Sequence, residues 1–176
     1  MNLKEISEKY KEKLAPIKIF LFDVDGILTT GQLYYQGEEV GFNRYFNALD
    51  GYGLKMIQEA GHKVGIITGG NSLGVRKRFE QLAVDHLYMG SEDKLPAFEE
   101  ILEKEKLAPH QALYMGDEFF DLPVLRKVGF SATVEAASQE IRDSVDYICQ
   151  KPAGQGCARE VIDLWREVVN FRPHWY

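Results

Sequence analysis

The chain has 176 residues, of which 45% are hydrophobic, 27% charged and 12% aromatic, enough apolar material for a single globular domain over 1–176 and too much for a disordered chain. Its 21 Lys and Arg against 27 Asp and Glu leave a net charge of −6, which argues against general nucleic-acid binding. No apolar run reaches membrane-spanning length and no signal-peptide pattern opens the sequence, so a cytoplasmic protein without a membrane partner is expected.

The predicted elements alternate. Leu3, Ile6, Tyr10 and Leu14 have helical spacing, predicting an N-terminal helix within 1–15. Residues 18–22, KIFLF, form a continuous apolar run suited to a strand buried on both faces. Residues 31–46, GQLYYQGEEVGFNRYF, break the rhythm: aromatics with glycines at 37 and 41 predict an inserted β-hairpin, lying on its own domain or forming a subunit interface. Asp50 is a candidate N-cap for a helix ending at Gly61. A strand is expected at 63–67, a helix at 72–82 after a Gly-Gly-Asn turn, a weaker strand at 85–88 and an amphipathic helix at 93–106. Strands at 112–115, 129–133 and 145–149 and a helix at 156–170 complete the series. Strand–helix alternation of this kind implies an α/β fold with a doubly wound parallel sheet. Cys149 and Cys157, the only cysteines, read as reduced buried thiols. His62, His86, His110 and His174 have no metal-ligand spacing.

Reactive groups in open α/β sheets sit at the carboxyl ends of strands. The first strand ends in Asp23-Val24-Asp25-Gly26. A calcium loop counted from Asp23 fails, because Ile27, Leu28 and Tyr34 fall where an oxygen ligand, glycine and glutamate are required. A plain acidic turn survives on this motif alone. The second buried strand ends in Thr68-Gly69-Gly70-Asn71, a hydroxyl with free N–H groups before a helix, which suits an oxyanion. Lys94 opens the next helix, and Gly116-Asp117-Glu118 with Asp121 follows the 112–115 strand. An acid pair, a hydroxyl, a cation and an acid cluster thus converge on one sheet edge.

This set resembles the haloacid dehalogenase-like superfamily of phosphotransferases, whose four motifs appear in order as DVDGILT at 23–29, ITGG at 67–70, Lys94 and GDEFFD at 116–121. The resemblance covers nearly the whole chain. It implies Asp23 as nucleophile, Asp25 as acid and base, and Thr68 and Lys94 as ligands of the transferring oxygens. It also implies Mg²⁺ on Asp23, Asp25 (through its carbonyl), Asp117 and Asp121, with Glu118 nearby. The second acid, Asp25, favours phosphoryl chemistry over dehalogenation. Only the hairpin and one helix fit between Asp25 and Thr68, so no cap domain is expected.

The capless frame with its hairpin is similar to the 3-deoxy-D-manno-octulosonate 8-phosphate phosphatases and their close relatives. That similarity implies a homotetramer built on 31–46, a sugar-phosphate substrate, and substrate contacts from Asn47, Asp50, Gly51, Lys55, Gly69, Arg78 and Lys94. Asp50 reads equally as a helix cap, and Lys55 and Arg78 as solvated charges. Departures stand at Leu49, Gly70 and Gln155, where the pattern carries arginines suited to a sugar carboxylate, and at Thr30, where it commonly carries Asp. A nine-carbon keto-deoxy sugar phosphate or another small phosphate ester is therefore an alternative substrate. Two rival classes are weaker. A signalling receiver domain places its acids in a different strand order. A non-catalytic tetramerisation module has no need to keep Asp23, Asp25, Thr68, Lys94 and Asp117 together.

Overall fold

A computed structural model describes residues 2–174. Its main sheet has six strands, all parallel: β1 (Ile19–Phe22), β4 (Lys63–Thr68), β5 (His86–Met89), β6 (Ala112–Met115), β7 (Phe130–Val134) and β8 (Tyr147–Cys149). Two further strands, β2 (Tyr34–Tyr35) and β3 (Phe42–Asn43), form a separate antiparallel hairpin. The sheet order is β5-β4-β1-β6-β7-β8. The chain leaves β1 toward one side, then crosses β1 to continue with β6 on the other. That reversal puts a crevice at the carboxyl end of β1, the usual place for a ligand in such sheets.

Strand periodicity divides the core between two faces. Phe20 and Phe22 point into the cluster beneath α1 (Leu3–Lys9), α2 (Lys11–Leu14), α3 (Ala48–Glu59), α4 (Leu73–Gln81) and α8 (Cys157–Val168), together with Trp165 and Ile162. Ile19 and Leu21 point into the opposite cluster beneath α5 (Leu95–Glu105), α6 (Leu122–Leu125) and α7 (Gln139–Arg142), with Phe98 and Ile101. Trp165 is fully buried and meets Phe20 edge-on, ring centroids 4.9 Å apart. Gly65 in β4 has no room for a side chain, since a Cβ there would lie 2.5 Å from Leu21 Cδ2.

Three expectations change in detail. The N-terminal helix is broken at Tyr10, whose φ of −105° and ψ of 11° end α1. Tyr10 is anchored by tertiary contacts: its hydroxyl donates to the Asp146 carbonyl at 2.8 Å and its ring packs edge-on against Phe130 and Tyr147. The helix predicted from Asp50 starts three residues earlier, and Asn47 is its N-cap, accepting from the Leu49 N–H. Asp50 lies inside α3 and caps another helix instead: its carboxylate accepts from the N–H groups of Gly156 (3.2 Å) and Arg159 (2.8 Å) at the start of α8. Gly61 ends α3 with φ +80°, as expected of a C′ glycine. The hairpin pairs only Tyr34 with Asn43 and Tyr35 with Phe42. It leaves Leu33, Tyr35, Phe42 and Tyr45 exposed. Cys149 and Cys157 are buried and unbridged.

Candidate active site

Asp23 follows the last residue of β1 and is 2% exposed. Its N–H donates to the Met115 carbonyl at 2.9 Å, so the sheet ladder itself fixes the residue. The chain then makes a wide turn over Val24–Leu28, closed by the Thr29 N–H on the Val24 carbonyl at 3.0 Å. Gly26 adopts φ +90°, and a Cβ there would collide with the Asp117 carboxylate. Glycine is thus required twice, by conformation and by the close approach of two strand ends. The turn presents Asp25 to a nearly buried arginine. Arg44 Nε and Nη2 donate to Asp25 Oδ1 and Oδ2 at 2.5 and 2.6 Å, while Nη1 donates to Ser72 Oγ at 3.1 Å.

Thr68 ends β4, is 2% exposed, and accepts the Gly70 N–H on its hydroxyl at 3.2 Å. Gly69 and Gly70 continue into the loop before α4, which Ser72 N-caps. Lys94 stands at the N-cap position of α5 and is 1% exposed. Its Nζ bridges two carboxylates, 2.8 Å from Asp23 and 2.7 Å from Asp121. Asp121 is completely buried and uses both oxygens. Oδ1 also accepts from the Tyr114 hydroxyl at 2.5 Å, and Oδ2 accepts the N–H groups of Asp117 and Glu118 at 3.0 Å each. Asp121 therefore shapes the loop that carries Asp117. Glu118 is exposed, with its carboxylate on the Phe119 N–H.

Three carboxylates against one ammonium leave the cluster short of positive charge. Burial pushes the Asp23 carboxyl up to about 7, Lys94 opposing and Asp121 adding to the rise. Burial, then the charges of Asp23 and Asp121, push Asp117 up to about 7 as well. Asp117 Oδ1 is buried without a hydrogen-bond partner. An orphaned carboxylate oxygen is costly unless a cation or donor meets it. Asp23, Asp117 and Asp121 each offer an oxygen within 4.8 Å of the others, a hard all-oxygen set of the kind Mg²⁺ prefers. The residues fit a divalent cation. Beside them an open cleft of about 360 Å³ is lined by Asp25, Gly26, Asp117, Glu118 and Phe120 among others.

The remaining predicted residues divide. Asn47, Asp50, Gly51 and Arg78 share a separate crevice between α3 and α4, beside Leu28 and Phe46. Asn47 donates to the Gly154 carbonyl at 3.3 Å. Asp50 is 2% exposed and its carboxylate accepts from N–H groups of α8, so it serves here as a cap of that helix. Gly51 is covered by the Arg78 guanidinium, which also lies 5.9 Å from the Phe46 ring centroid. Lys55 is exposed on α3. Sequence reasoning missed Arg44, Tyr114 and Ser72. Tyr114 sits in an apolar strand and Ser72 in a turn, with nothing local to mark them. Arg44 lies inside an aromatic hairpin read either as packing on its own domain or as a subunit interface, and a lone cation just before Phe46-Asn47 is the available signal.

Residues 88–161 match the family of haloacid dehalogenase-like hydrolases. The chain is 38% identical over 161 residues to the 3-deoxy-D-manno-octulosonate 8-phosphate phosphatase of Escherichia coli, covering 90% of this chain and 84% of that one. The crystal structure of the phosphatase of that name from Yersinia pestis superposes with a TM-score of 0.88 at 32% identity, over 93% of this chain and 88% of the other. The one from Moraxella catarrhalis, solved with magnesium, phosphate and the octulosonate sugar, gives 0.87 at 34% identity over 92% of each chain. The four strand-end motifs and this similarity along almost the whole length agree: the chain belongs to the haloacid dehalogenase-like phosphatases, within the 3-deoxy-D-manno-octulosonate 8-phosphate phosphatase family.

Proposed function

We propose that the protein hydrolyses the phosphate monoester of a keto-deoxy sugar acid, 3-deoxy-D-manno-octulosonate 8-phosphate or a close relative, with Mg²⁺ as cofactor. One observation carries the reading: a buried Asp23 tied to Lys94, beside an Asp117 whose inner oxygen has no partner, at the switch point of a parallel sheet. The relatives named above carry that activity in their names, and one was solved with magnesium and the sugar.

The roles follow from position. The Asp23 carboxylate attacks phosphorus; a P–O bond to Asp23 forms as the ester P–O bond breaks. Asp25, on the same turn, is the group that would pass a proton to the departing sugar oxygen and take one from the water that later cleaves the aspartyl-phosphate, once its oxygens are released from Arg44 and one is protonated. Thr68, the N–H groups after it and Lys94 hold the phosphoryl oxygens, and Lys94 keeps Asp23 oriented meanwhile. Asp23, Asp117 and the Asp25 carbonyl would hold Mg²⁺, with Asp121 behind them in the same cluster, and the ion would supply the positive charge that screens the carboxylates from the anionic substrate. Asp121 acts chiefly by orienting Lys94 and the Asp117 loop, because all its lone-pair directions are engaged.

The exposed aromatics of the hairpin support a homotetramer formed through 31–46, which would also cover a site that lacks a cap. No helix among the described residues is long and apolar enough to cross a membrane. A second substrate reading, a nine-carbon homologue or a phosphate ester without a carboxylate, rests on Leu49, Gly70 and Gln155 standing where arginines are expected. Phosphate release measured with Mg²⁺ across a panel of sugar and aryl phosphates tests the proposal. Turnover highest on an octulosonate or nonulosonate phosphate is expected; no turnover on any ester would leave only an assembly module.

A further inference from the structure

We propose that Arg44 is a positioning residue for the second half of the reaction: it holds the Asp25 carboxylate in place to take a proton from the water that cleaves the aspartyl-phosphate. The inference rests on the roles proposed above for Asp23 and Asp25. Arg44 is 8% exposed and is the one buried residue of 31–46. It is fixed at both ends. Its backbone N–H donates to Asn43 Oδ1 at 2.9 Å, and Asn43 is seated against the start of α4, where a Cβ on Gly74 would lie 2.3 Å from that same oxygen. Its guanidinium Nη1 donates to Ser72 Oγ, the N-cap of α4, at 3.1 Å. Gly70 leaves the guanidinium room, since a Cβ there would sit 2.9 Å from Nη2. A planar fork tied down in this way imposes its own plane on the carboxylate it grips, here Asp25 at 2.5 and 2.6 Å.

A carboxylate has about four acceptor sites. Arg44 takes one on each oxygen of Asp25. The Thr29 hydroxyl, which also reaches the Val24 carbonyl, donates to Oδ1 at 3.2 Å. Oδ1 is then filled and Oδ2 keeps a single open site. That site is held beside the open cleft that Asp25 lines, on the turn that follows Asp23. The two halves of the reaction ask different things of Asp25. Giving a proton to the ester oxygen requires the fork to let go. Taking a proton from water requires a carboxylate with one accessible lone pair in a fixed place, and the fork presents that.

The test uses p-nitrophenyl phosphate with Mg²⁺. Its leaving group departs without a proton, so kcat/KM reads formation of the aspartyl-phosphate, and the steady rate after a burst reads its hydrolysis. Arg44→Gln is expected to lower kcat ~10–100-fold, a part of what general acid–base help supplies, while kcat/KM stays within ~2-fold of the parent. Nitrophenolate should then appear in a burst approaching one per active site. Arg44→Lys keeps the charge without the fork, and its kcat is expected to fall between the two. It carries the test through the same split if Arg44→Gln does not fold. An arginine that only supports the fold lowers kcat and kcat/KM together with no burst. That result, or an unchanged kcat, overturns the inference while turnover by the parent leaves the proposed function standing. A parent that releases no nitrophenolate and no phosphate from any ester removes the proposed function and the inference together.

Discussion

Replacing Asp117 by Asn separates what the acidic cluster does for stability from what it does for a cation. The Asp117 carboxyl is held at about 7, against an ordinary 3.8, first by burial and then by Asp23 and Asp121. A carboxyl with a raised folded pKa stabilises the fold fully below its unfolded value, and that contribution is lost as pH rises through the folded value. At ~1.4 kcal/mol per pKa unit, the deficit at pH 8 without metal approaches ~4 kcal/mol. Asp23 and Asp121 contribute to the rise beside burial, so replacing Asp117 alone recovers only part of it, on the order of 2 kcal/mol. In a domain of this size ~1 kcal/mol moves Tm by ~2–4 °C, so Asp117→Asn in chelator at pH 8 should melt ~4–8 °C higher than the parent. At pH 5 the folded carboxyl is protonated but the unfolded one is still ionised, so the gap should shrink to roughly 40% of its pH 8 size, closing only as pH falls below the ordinary 3.8. Magnesium reverses the order. At a hundred times its Kd a bound ion adds ~2.7 kcal/mol, or ~5–11 °C, to the parent and little to the variant. Differential scanning fluorimetry with chelator and with Mg²⁺, at both pH values, reads all four states. A variant less stable than the parent in chelator at pH 8, or one that keeps the full magnesium shift, would refute the reasoning.

Further outcomes follow from single contacts. Asp23→Asn should reduce phosphate release ~10³-fold or more, since an amide is no nucleophile toward phosphorus, and a near-parental rate would remove Asp23 from that role. Asp50→Ala removes the carboxylate from two N–H groups of α8 and should cost ~1–2 kcal/mol, seen as a fall in Tm of ~2–8 °C; an unchanged melting curve would show that α8 needs no such cap. Tyr35→Glu with Phe42→Glu sets two carboxylates on one exposed aromatic pair of the hairpin, rings 5.4 Å apart. Light scattering should then report the 20.1 kDa monomer, whereas an intact tetramer would place the interface elsewhere.

Asp50 shows where local reading stops. An acid at the head of an apolar-periodic segment looks like an N-cap, and by spacing alone the assignment was reasonable. Asn47 does that work, and Asp50 crosses to a helix more than a hundred residues later because α3 and α8 pack closely at Gly53, where a Cβ would lie 2.8 Å from Ile162 Cδ1. Tyr10 is similar. Its helical spacing is genuine, yet the hydroxyl on Asp146 and two ring contacts outweigh one turn of helix. The two paired residues per strand in the hairpin were equally beyond the pattern, because nothing local says where pairing stops.

Much was legible in the 176 residues with no structure at all. Apolar runs too continuous for half-exposed strands required a sheet covered on both faces, and their alternation with helical spacing required that it be parallel and doubly wound. In such a sheet all strands end on one edge, so placing Asp23, Thr68, Lys94 and Asp117 after strands already brought them to it. That follows because strand direction is a property of the topology, not of side-chain detail. What the tertiary structure decided was the wiring between those ends. Lys94 shared between Asp23 and Asp121, the saturated carboxylate of Asp121, the unpartnered oxygen of Asp117 and the reach of Arg44 over Gly70 to Asp25 all depend on side chains from different elements meeting within ~3 Å. Hydrophobic pattern sets which face a residue takes, over distances of a whole strand; hydrogen bonds and ion pairs are decided over a few ångströms, and only packing fixes positions that closely.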